Sequence, residues 1–312
     1  MTNFALIFLC LLAGQLFRRS RLMPENAAAT LNGVVLYLSL PAVVLLQLPA
    51  FLGTATLSWA MLAPVAVPWV QLLLAWGFYA WLGRRRRWAP TTIGALIIAT
   101  GLGNTSFLGF PILEALLGTA GVQVGLLADQ LGSFPALSTL GLLLAAKYHG
   151  QKVPARVMLR RMTTFPPFLS LLAAAAWAAL GAPGHAAASP LLGKLAATLA
   201  PLAVLSVGLQ LNIHPAALRA RVETLGIGLA FKLLAMPALC ALVLIGGLGL
   251  RGLIAHATVL EIAMPSMVTA SVIAAQFKLD EGLASQLVGL GIIASLATLP
   301  LWHWLLLDAA GS

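Results

Sequence analysis

The chain has 312 residues, of which 61% are hydrophobic and only 8% are charged, and its formal net charge is +10. A soluble globular domain carries roughly 25% charged residues, so these charges are too few to cover a water-facing surface. The basic residues form short clusters between apolar blocks, without the aromatic-interleaved basic face of a nucleic-acid-binding protein. The composition therefore predicts a polytopic α-helical protein of the lipid bilayer and excludes a nucleic-acid partner.

Apolar blocks divide the chain into ten predicted spans, since a spanning helix needs about 20 mostly apolar residues. The first block ends at Phe17 and is followed, not preceded, by basic residues, which is the reverse of a cleaved secretory signal. We therefore expect this block to be a spanning helix. The predicted spans are 3–17, 28–49, 57–82, 91–117, 121–146, 164–181, 190–211, 223–248, 253–277 and 283–307.

The positive charges alternate with these spans. Odd-numbered connections contain 15 of the 18 basic residues, even-numbered connections contain only Arg251, and Lys194 and Lys232 lie within spans. Because positively charged loops stay in the cytoplasm, we expect ten crossings of a bacterial inner (cytoplasmic) membrane with both termini periplasmic. The basic residues of the odd-numbered connections are Arg18, Arg19, Arg21, Arg84, Arg85, Arg86, Arg87, Lys147, Lys152, Arg156, Arg160, Arg161, Arg219, Arg221 and Lys278.

Ten spans around a central basic loop suggest two repeats of five spans, over residues 1–149 and 150–312. An odd number of spans in each half gives the halves opposite orientations. Spans three and eight each contain a proline, Pro68 and Pro237, and spans four and nine each contain a polar break. Inverted repeats with broken helices in matching positions are the signature of secondary transporters. The predicted fold is therefore all-α, with broken crossover helices four and nine.

The two polar breaks are the predicted substrate site. In span four, glycine and proline weaken the helix, while asparagine, threonine and serine supply hydrogen-bonding groups. Unwound backbone survives at membrane depth only beside protein or a water-filled cavity, and helix N-termini offer amide donors to an anion. One break alone would indicate an ordinary kink, but two at matching positions favour a binding site. Its expected residues are Gly103, Asn104, Thr105, Ser106, Pro265 and Ser266.

Ionisable residues within predicted spans are a second functional signal. For Lys232, we favour pairing with Asp129 or Glu261 over a side chain that snorkels to the headgroups. A carboxyl group in a low-dielectric cavity prefers its neutral form, so Asp129 or Glu261 could bind and release a proton during transport. The expected coupling residues are Asp129, Gln130, Glu261 and Lys232, and Glu114 and Lys194 lie at span boundaries.

Over its whole length the chain resembles the auxin efflux carrier family, which includes the plant PIN-type carriers and bacterial malate and malonate permeases. The resemblance is carried by motifs in the expected order and spacing. These are Leu31-Asn32 through Leu40-Pro41-Ala42, Gly103-Asn104-Thr105 with Gly109-Phe110-Pro111, Pro201-Leu202-Ala203 with Gly208, Lys232 with Pro237, and Ala263-Met264-Pro265-Ser266.

The resemblance implies a scaffold of spans one, two, six and seven, which is often dimeric, and a moving transport unit of spans three to five and eight to ten. Asn104 matches the asparagine that contacts the substrate carboxylate in the plant carriers, and Pro265 matches their crossover proline. Asp129 or Gln130 matches the region of a supporting glutamine. Gly103 stands where the plant carriers have a proline, and their acidic and basic pair in span three has no counterpart here.

The sequence thus predicts a secondary active transporter of small organic anions, either auxin-like or malate- and malonate-like mono- or dicarboxylates, that works by alternating access. A proton or sodium ion could be the coupling ion. The alternatives are a passive uniporter or channel, or a sodium-coupled symporter of the bile-acid-symporter type on the same fold. We expect no enzyme, cofactor or metal site, because the sequence contains no Walker A, HExxH or GxSxG pattern and no clustered histidines.

Overall fold

The structure is a computed structural model that describes residues 2–54, 58–150, 153–211 and 221–311. Within these ranges the chain is mostly helical and contains no β-strand apart from one isolated bridge. Lys152 and Arg219, two of the basic residues that mark the predicted loops, lie outside the described residues. The prediction of an all-α membrane protein is confirmed at this level.

Six helices within the described ranges are long and apolar enough to cross a membrane, and a seventh span forms if one pair bent by 60° is counted together. Two shorter apolar helices, Pro90–Thr100 and Leu253–Ala263, end at the predicted breaks. The number of ten crossings therefore stays a prediction. The six are Ala27–Gly53, Trp59–Arg86, Thr105–His149, His185–Gln210, Val222–Gly247 and Glu281–Leu307, and the bent pair is Ala155–Thr163 with Pro166–Ala179.

The longest of these segments is not one straight helix. Gly118, within Thr105–His149, has φ 67° and ψ −164°, a conformation that interrupts the helix and that glycine adopts at little cost. The α-helices are Thr2–Ser20, Ala27–Val34, Leu40–Thr54, Leu62–Arg86, Pro90–Thr100, Phe110–Leu127, Phe134–Ala136, Leu142–His149, Ala155–Thr163, Pro166–Ala179, His185–Ala196, Leu199–Gln210, Val222–Ala230, Met236–Ala241, Leu253–Ala263, Thr269–Gln276 and Glu281–Gly311.

Wide π-helical turns precede several prolines in the sequence. A proline has no N–H group, and its ring crowds the carbonyl four residues earlier, so a wider turn upstream relieves the clash. Four of the turns end two residues before a proline, at Pro41, Pro111, Pro135 and Pro237. Six π-helical turns are described: Val35–Ser39, Thr105–Gly109, Ala128–Ser133, Leu137–Gly141, Phe231–Ala235 and Leu242–Gly247.

The first of two compact units comprises the described residues of Met1–Ser58, Ser106–Leu126 and Leu159–Leu211. In it, helix Thr2–Ser20 packs closely on helix Leu199–Gln210. The two backbones can approach this closely because Gly14 and Gly208 have no side chain, and none would fit between them. Its apolar core is formed by Val35, Leu40, Val43, Val44, Leu48, Phe110, Val122, Leu126, Leu171, Ala174, Leu199 and Ala203.

The second unit comprises the described residues of Trp59–Thr105, Leu127–Met158 and Asn212–Ser312. The helices Pro90–Thr100 and Leu253–Ala263 are mostly apolar and form its interior: every residue from Ile93 to Thr100 and from Ala255 to Ala263 is buried. A helix that is hydrophobic all round belongs inside a protein. The second unit therefore holds two short buried helices whose C-terminal ends require hydrogen-bond partners.

Candidate functional site

The two breaks lie side by side in the second unit. Helix Pro90–Thr100 gives way to residues 101–104 (the first break), and helix Leu253–Ala263 to residues 264–268 (the second break). Gly103 and Ser266 pair as an isolated antiparallel bridge, and the backbone N–H of Asn104 donates to the carbonyl oxygen of Pro265 at 2.8 Å. A backbone N–H group at the end of the first break thus finds its acceptor in the second break.

Gly103 lies in a tight space and does not have an unusual backbone angle. A Cβ atom at this position would lie 3.0 Å from the carbonyl oxygen of Glu261 and 3.3 Å from Nζ of Lys232. It would also lie 3.4 Å from Cβ of Met264. A side chain at this position would therefore press against the second break and the lysine beside it.

Each buried half-helix that ends at a break has a side-chain donor at its C-terminal end. Nε2 of Gln71 donates to the carbonyl oxygen of Thr100 at 2.9 Å, and Nζ of Lys232 donates to the carbonyl oxygen of Ile262 at 2.7 Å. The last carbonyls of a helix have no partner within it and carry a negative partial charge. Both donors are buried, with exposed fractions of 0% and 1%.

Asp129 is held in a defined orientation by two side-chain donors. The hydroxyl group of Thr105 donates to Oδ1 of Asp129, and Nε2 of Gln130 donates to Oδ2 at 2.7 Å. All three residues are buried. Because Thr105 directly follows the first break, this contact ties the break to the π-helical turn Ala128–Ser133.

Glu261 is a buried carboxyl group without a hydrogen-bond partner among the residues that the structure describes. Its exposed fraction is 1%, and neither carboxylate oxygen has a partner in the described part of the chain. The group is close enough to Asp129 and Lys232 for electrostatic interaction with both. The Nζ atom of Lys232 nevertheless donates to the carbonyl oxygen of Ile262 and not to this carboxyl group.

The chain resembles known proteins over nearly its full length. A family model described as membrane transport protein matches residues 1–303. The chain belongs to this family. Its similarity extends to an uncharacterized transporter of Methanothermobacter thermautotrophicus, 31% identical over 296 residues that cover 95% of each chain. The uncharacterized transporter MJ1031 of Methanocaldococcus jannaschii is 25% identical over 308 residues, 97% of each chain.

The resemblance to the auxin efflux carrier family is thereby confirmed, since this is the family of membrane transport proteins that the motifs indicate. Both relatives are archaeal transporters that share the whole length of the chain. Membership implies a transport role in a membrane and a small-molecule substrate.

In this family member, the structure brings most of the predicted site residues together. The predicted set of Gly103, Asn104, Thr105, Pro265 and Ser266 lies in or beside the paired breaks. Ser106 follows in the π-helical turn Thr105–Gly109 and is half-buried. The four predicted coupling residues Asp129, Gln130, Glu261 and Lys232 are all buried in the same unit.

Two further features were not identified from the sequence. Gln71 has no distinguishing motif. Its only signal is its position: it lies in the span before the first break, just as Lys232 lies in the span before the second, and this parallel could have suggested a capping role. The Nε2 atom of His256 lies 3.0 Å from Nδ1 of His303. No local sequence pattern could reveal that contact, because the two histidines are 47 positions apart in the chain.

Two cavities formed by described residues lie away from the breaks. One of about 720 Å³ adjoins the basic end of helix Leu62–Arg86, where Nζ of Lys147 lies 4.8 Å from the ring centroid of Trp76. Another of about 150 Å³ lies within the first unit beside Gln47 and Glu114. Neither is lined by a residue of the two breaks.

Proposed function

We propose that this chain is a secondary active transporter of small organic anions, mono- or dicarboxylates, with its substrate site at the paired breaks. The observation that carries the proposal is the pairing itself: the Gly103–Ser266 bridge and the Asn104–Pro265 hydrogen bond join two interrupted, buried helices. Non-helical backbone at membrane depth is characteristic of transporter binding sites. Family membership supports transport as the general activity.

The chemistry of the breaks suits a carboxylate. Asn104 and Thr105 supply amide and hydroxyl groups, and helices begin directly after each break, at Thr105 and at Thr269. The N-terminus of a helix carries unpaired N–H groups and a positive partial charge, which favour an anion. The resemblance to the plant carriers assigns contact with the substrate carboxylate to Asn104.

The burial of these groups supports alternating access as the mechanism. Asn104, Thr105 and Ser266 have exposed fractions of 4%, 3% and 1%. A substrate from solution reaches such groups only after a conformational change. We propose that the second unit is the transport unit and the first unit, which holds predicted spans one, two, six and seven, is the scaffold of a homodimer. Residues 106–126 group with the first unit, so the division differs from the predicted one in spans four and five.

The capping pattern supports two inverted repeats. Gln71 in the third predicted span and Lys232 in the eighth each bind the end of the half-helix that follows. We further propose a location in the cytoplasmic membrane with both termini on the outer side, as the distribution of basic residues predicts. A proton carried by Asp129 or Glu261 is the proposed coupling ion, because Glu261 is buried without a hydrogen-bond partner among the described residues.

The test is uptake of labelled malonate, malate, succinate, lactate and indole-3-acetate into proteoliposomes, under imposed proton and sodium gradients. Asn104→Ala should lower saturable uptake by about tenfold or more, since a hydrogen bond to a charged group contributes about 1.5–3 kcal/mol. Asn26→Ala removes an exposed amide and should leave uptake unchanged. Flat traces for every acid under both gradients would refute the carboxylate assignment.

A further inference from the structure

The larger of the two cavities lies at the basic end of helix Leu62–Arg86 and has no part in the proposed function. Its volume of about 720 Å³ is within the range of roughly 300–1,000 Å³ that holds small organic ligands. Three elements form its walls: helix Leu62–Arg86, the start of helix Pro90–Thr100 and the end of helix Leu142–His149. All three belong to the second unit, so the cavity lies within one compact body.

The charged side chains in the walls of this cavity are all basic. They belong to Arg84, Arg87 and Lys147. None of the three has an ion-pair partner among the described residues. Nζ of Lys147 lies 4.8 Å from the ring centroid of Trp76, which also lines the cavity. The cavity thus concentrates positive charge without an internal counter-charge, and this favours an anionic ligand.

The four consecutive arginines at this helix end differ in their surroundings. Arg85 stacks over a tryptophan ring at 4.6 Å, and Arg86 forms an ion pair with Glu223 at 3.1 Å. Arg84 and Arg87 line the cavity instead. A topology signal depends on how many positive charges a loop carries and does not require two of them to face a cavity. The placement of Arg84 and Arg87 therefore indicates a second role.

The cavity continues from this basic end along the apolar part of the helix. One face of helix Leu62–Arg86 lines it through residues four, three and four positions apart, which are Leu73, Gly77, Ala80 and Arg84. Such spacing places side chains on one side of a helix, and this side extends for about 16 Å. Leu73 is 47% exposed, and nothing lies within 4 Å of a Cβ atom at Gly77. The apolar part is therefore open to the hydrocarbon of a bilayer.

Aromatic side chains stand beside the basic ones in the walls. Trp88 and Tyr148 line the cavity directly after Arg87 and Lys147 in the sequence, and Tyr148 is close enough to Arg84 for electrostatic interaction. Tryptophan and tyrosine are enriched where a membrane protein meets the headgroups. The cavity thus has a basic end, an aromatic zone and an apolar face, which correspond to the phosphate, the interfacial region and an acyl chain of a phospholipid.

We propose that this cavity binds an anionic phospholipid, with the phosphate between Arg84, Arg87 and Lys147 and an acyl chain along the face that contains Gly77. Arginine binds phosphate oxygens through paired N–H donors, and basic pockets between spanning helices bind anionic headgroups. A dissolved phosphate would contact only the basic end, whereas the lipid matches the whole cavity. The site shares no residue with the two breaks and does not rest on the proposed substrate.

Paired substitutions of the arginines test the basic end. Arg84→Gln/Arg87→Gln removes the two that line the cavity, and Arg85→Gln/Arg86→Gln is the matched control with the same change in net charge. Native mass spectrometry of the purified full chain, with phosphatidylglycerol and phosphatidylcholine at equal concentrations in detergent, measures the lipid that each variant retains. The wild type and the control should retain phosphatidylglycerol in preference, and the first variant should bind it at least about tenfold more weakly. Equal weakening in both would indicate general attraction by surface charge and would overturn the proposal.

Gly77→Leu tests the apolar part and leaves every charge in place. Leucine fits a helix better than glycine, and its side chain would extend into the open space of the cavity. Gly226→Leu is the matched control, since Gly226 is exposed within helix Val222–Ala230, has equally open surroundings and does not line the cavity. Only Gly77→Leu should lose the preference for phosphatidylglycerol. Wild-type binding in Gly77→Leu would refute the site, even if the double arginine variant does not fold.

Thermal unfolding distinguishes the lipid from a dissolved phosphate. A ligand that binds only the folded state raises the unfolding midpoint. The wild type should unfold about 3 °C higher in micelles that contain phosphatidylglycerol than in micelles that contain phosphatidylcholine. Inorganic phosphate at the same concentration should give no rise. An equal rise with inorganic phosphate would replace the lipid by a free anion, and a wild-type midpoint that is the same in all three conditions would refute the site.

Discussion

The hydroxyl group of Thr105 donates a hydrogen bond to Oδ1 of Asp129 and so joins the end of the first break to a buried carboxylate. Gln130 donates to the other oxygen of the same group. A displacement of the break by a substrate would therefore alter the hydrogen bonding of Asp129. This is a direct physical path between the proposed substrate site and a proposed proton carrier.

Thr105→Val should destabilise the protein by about 1.5–3 kcal/mol, because the isosteric change removes a hydrogen bond to a charged group. Thr139→Val is the matched control: Thr139 donates to the backbone carbonyl of Pro135, a neutral acceptor, and the expected cost is about 0.5–1.5 kcal/mol. Chemical or thermal unfolding measures both. Thr105→Val should also reduce uptake, and an equal effect of the two changes on stability and uptake would contradict the assigned link.

Gly103→Ala should lower stability by about 1–3 kcal/mol, because the added methyl group meets the carbonyl oxygen of Glu261 at 3.0 Å in a packed interior. Gly226→Ala is the control, since nothing lies within 4 Å of a Cβ atom there. Gly226 is within helix Val222–Ala230, where alanine is favoured over glycine by about 1 kcal/mol. Opposite shifts of the two unfolding midpoints are expected. Similar shifts would show that the breaks tolerate a side chain at this position.

The breaks were predictable because their signals are local. Glycine, proline and hydroxyl or amide residues inside an apolar block indicate an interrupted helix, and the two apolar helices indeed end at Thr100 and Ala263. Buried charge was predictable for a similar reason, since a charged residue in the middle of an apolar segment has few places to lie except the interior. Asp129, Glu261 and Lys232 are buried accordingly.

The partners of these residues were not predictable. Whether Lys232 contacts a carboxylate or a backbone carbonyl depends on the rotation of two helices about their axes. The pattern of apolar residues does not specify this rotation in a helix that is apolar on nearly all sides. The two span prolines also differ: Pro68 lies within the continuous helix Leu62–Arg86, whereas Pro237 follows a π-helical turn. The cap provided by Gln71 depends on the same tertiary placement.

Gln71→Ala should destabilise the second unit by about 1–3 kcal/mol, because it leaves the buried carbonyl oxygen of Thr100 without the donor that Gln71 provides. Gln123→Ala is the control, since Gln123 is half-buried and donates to the side chain of Gln47 at 3.2 Å. Amide hydrogen exchange of helix Pro90–Thr100 provides the specific readout. Exchange there should accelerate in Gln71→Ala alone, and unchanged protection would exclude a capping role.

Glu261→Gln tests the proposed proton coupling. The change keeps the shape of the side chain and removes a charge that has no hydrogen-bond partner within the described residues, so the protein should remain folded with equal or higher stability. If Glu261 carries the coupled proton, uphill uptake driven by a pH gradient should fall at least about tenfold, while exchange of labelled for unlabelled substrate persists. Asp129→Asn is measured alongside, because the two carboxyl groups interact. Wild-type pH dependence of uptake in both variants would refute proton coupling through these residues, whereas its loss in only one would identify the carrier.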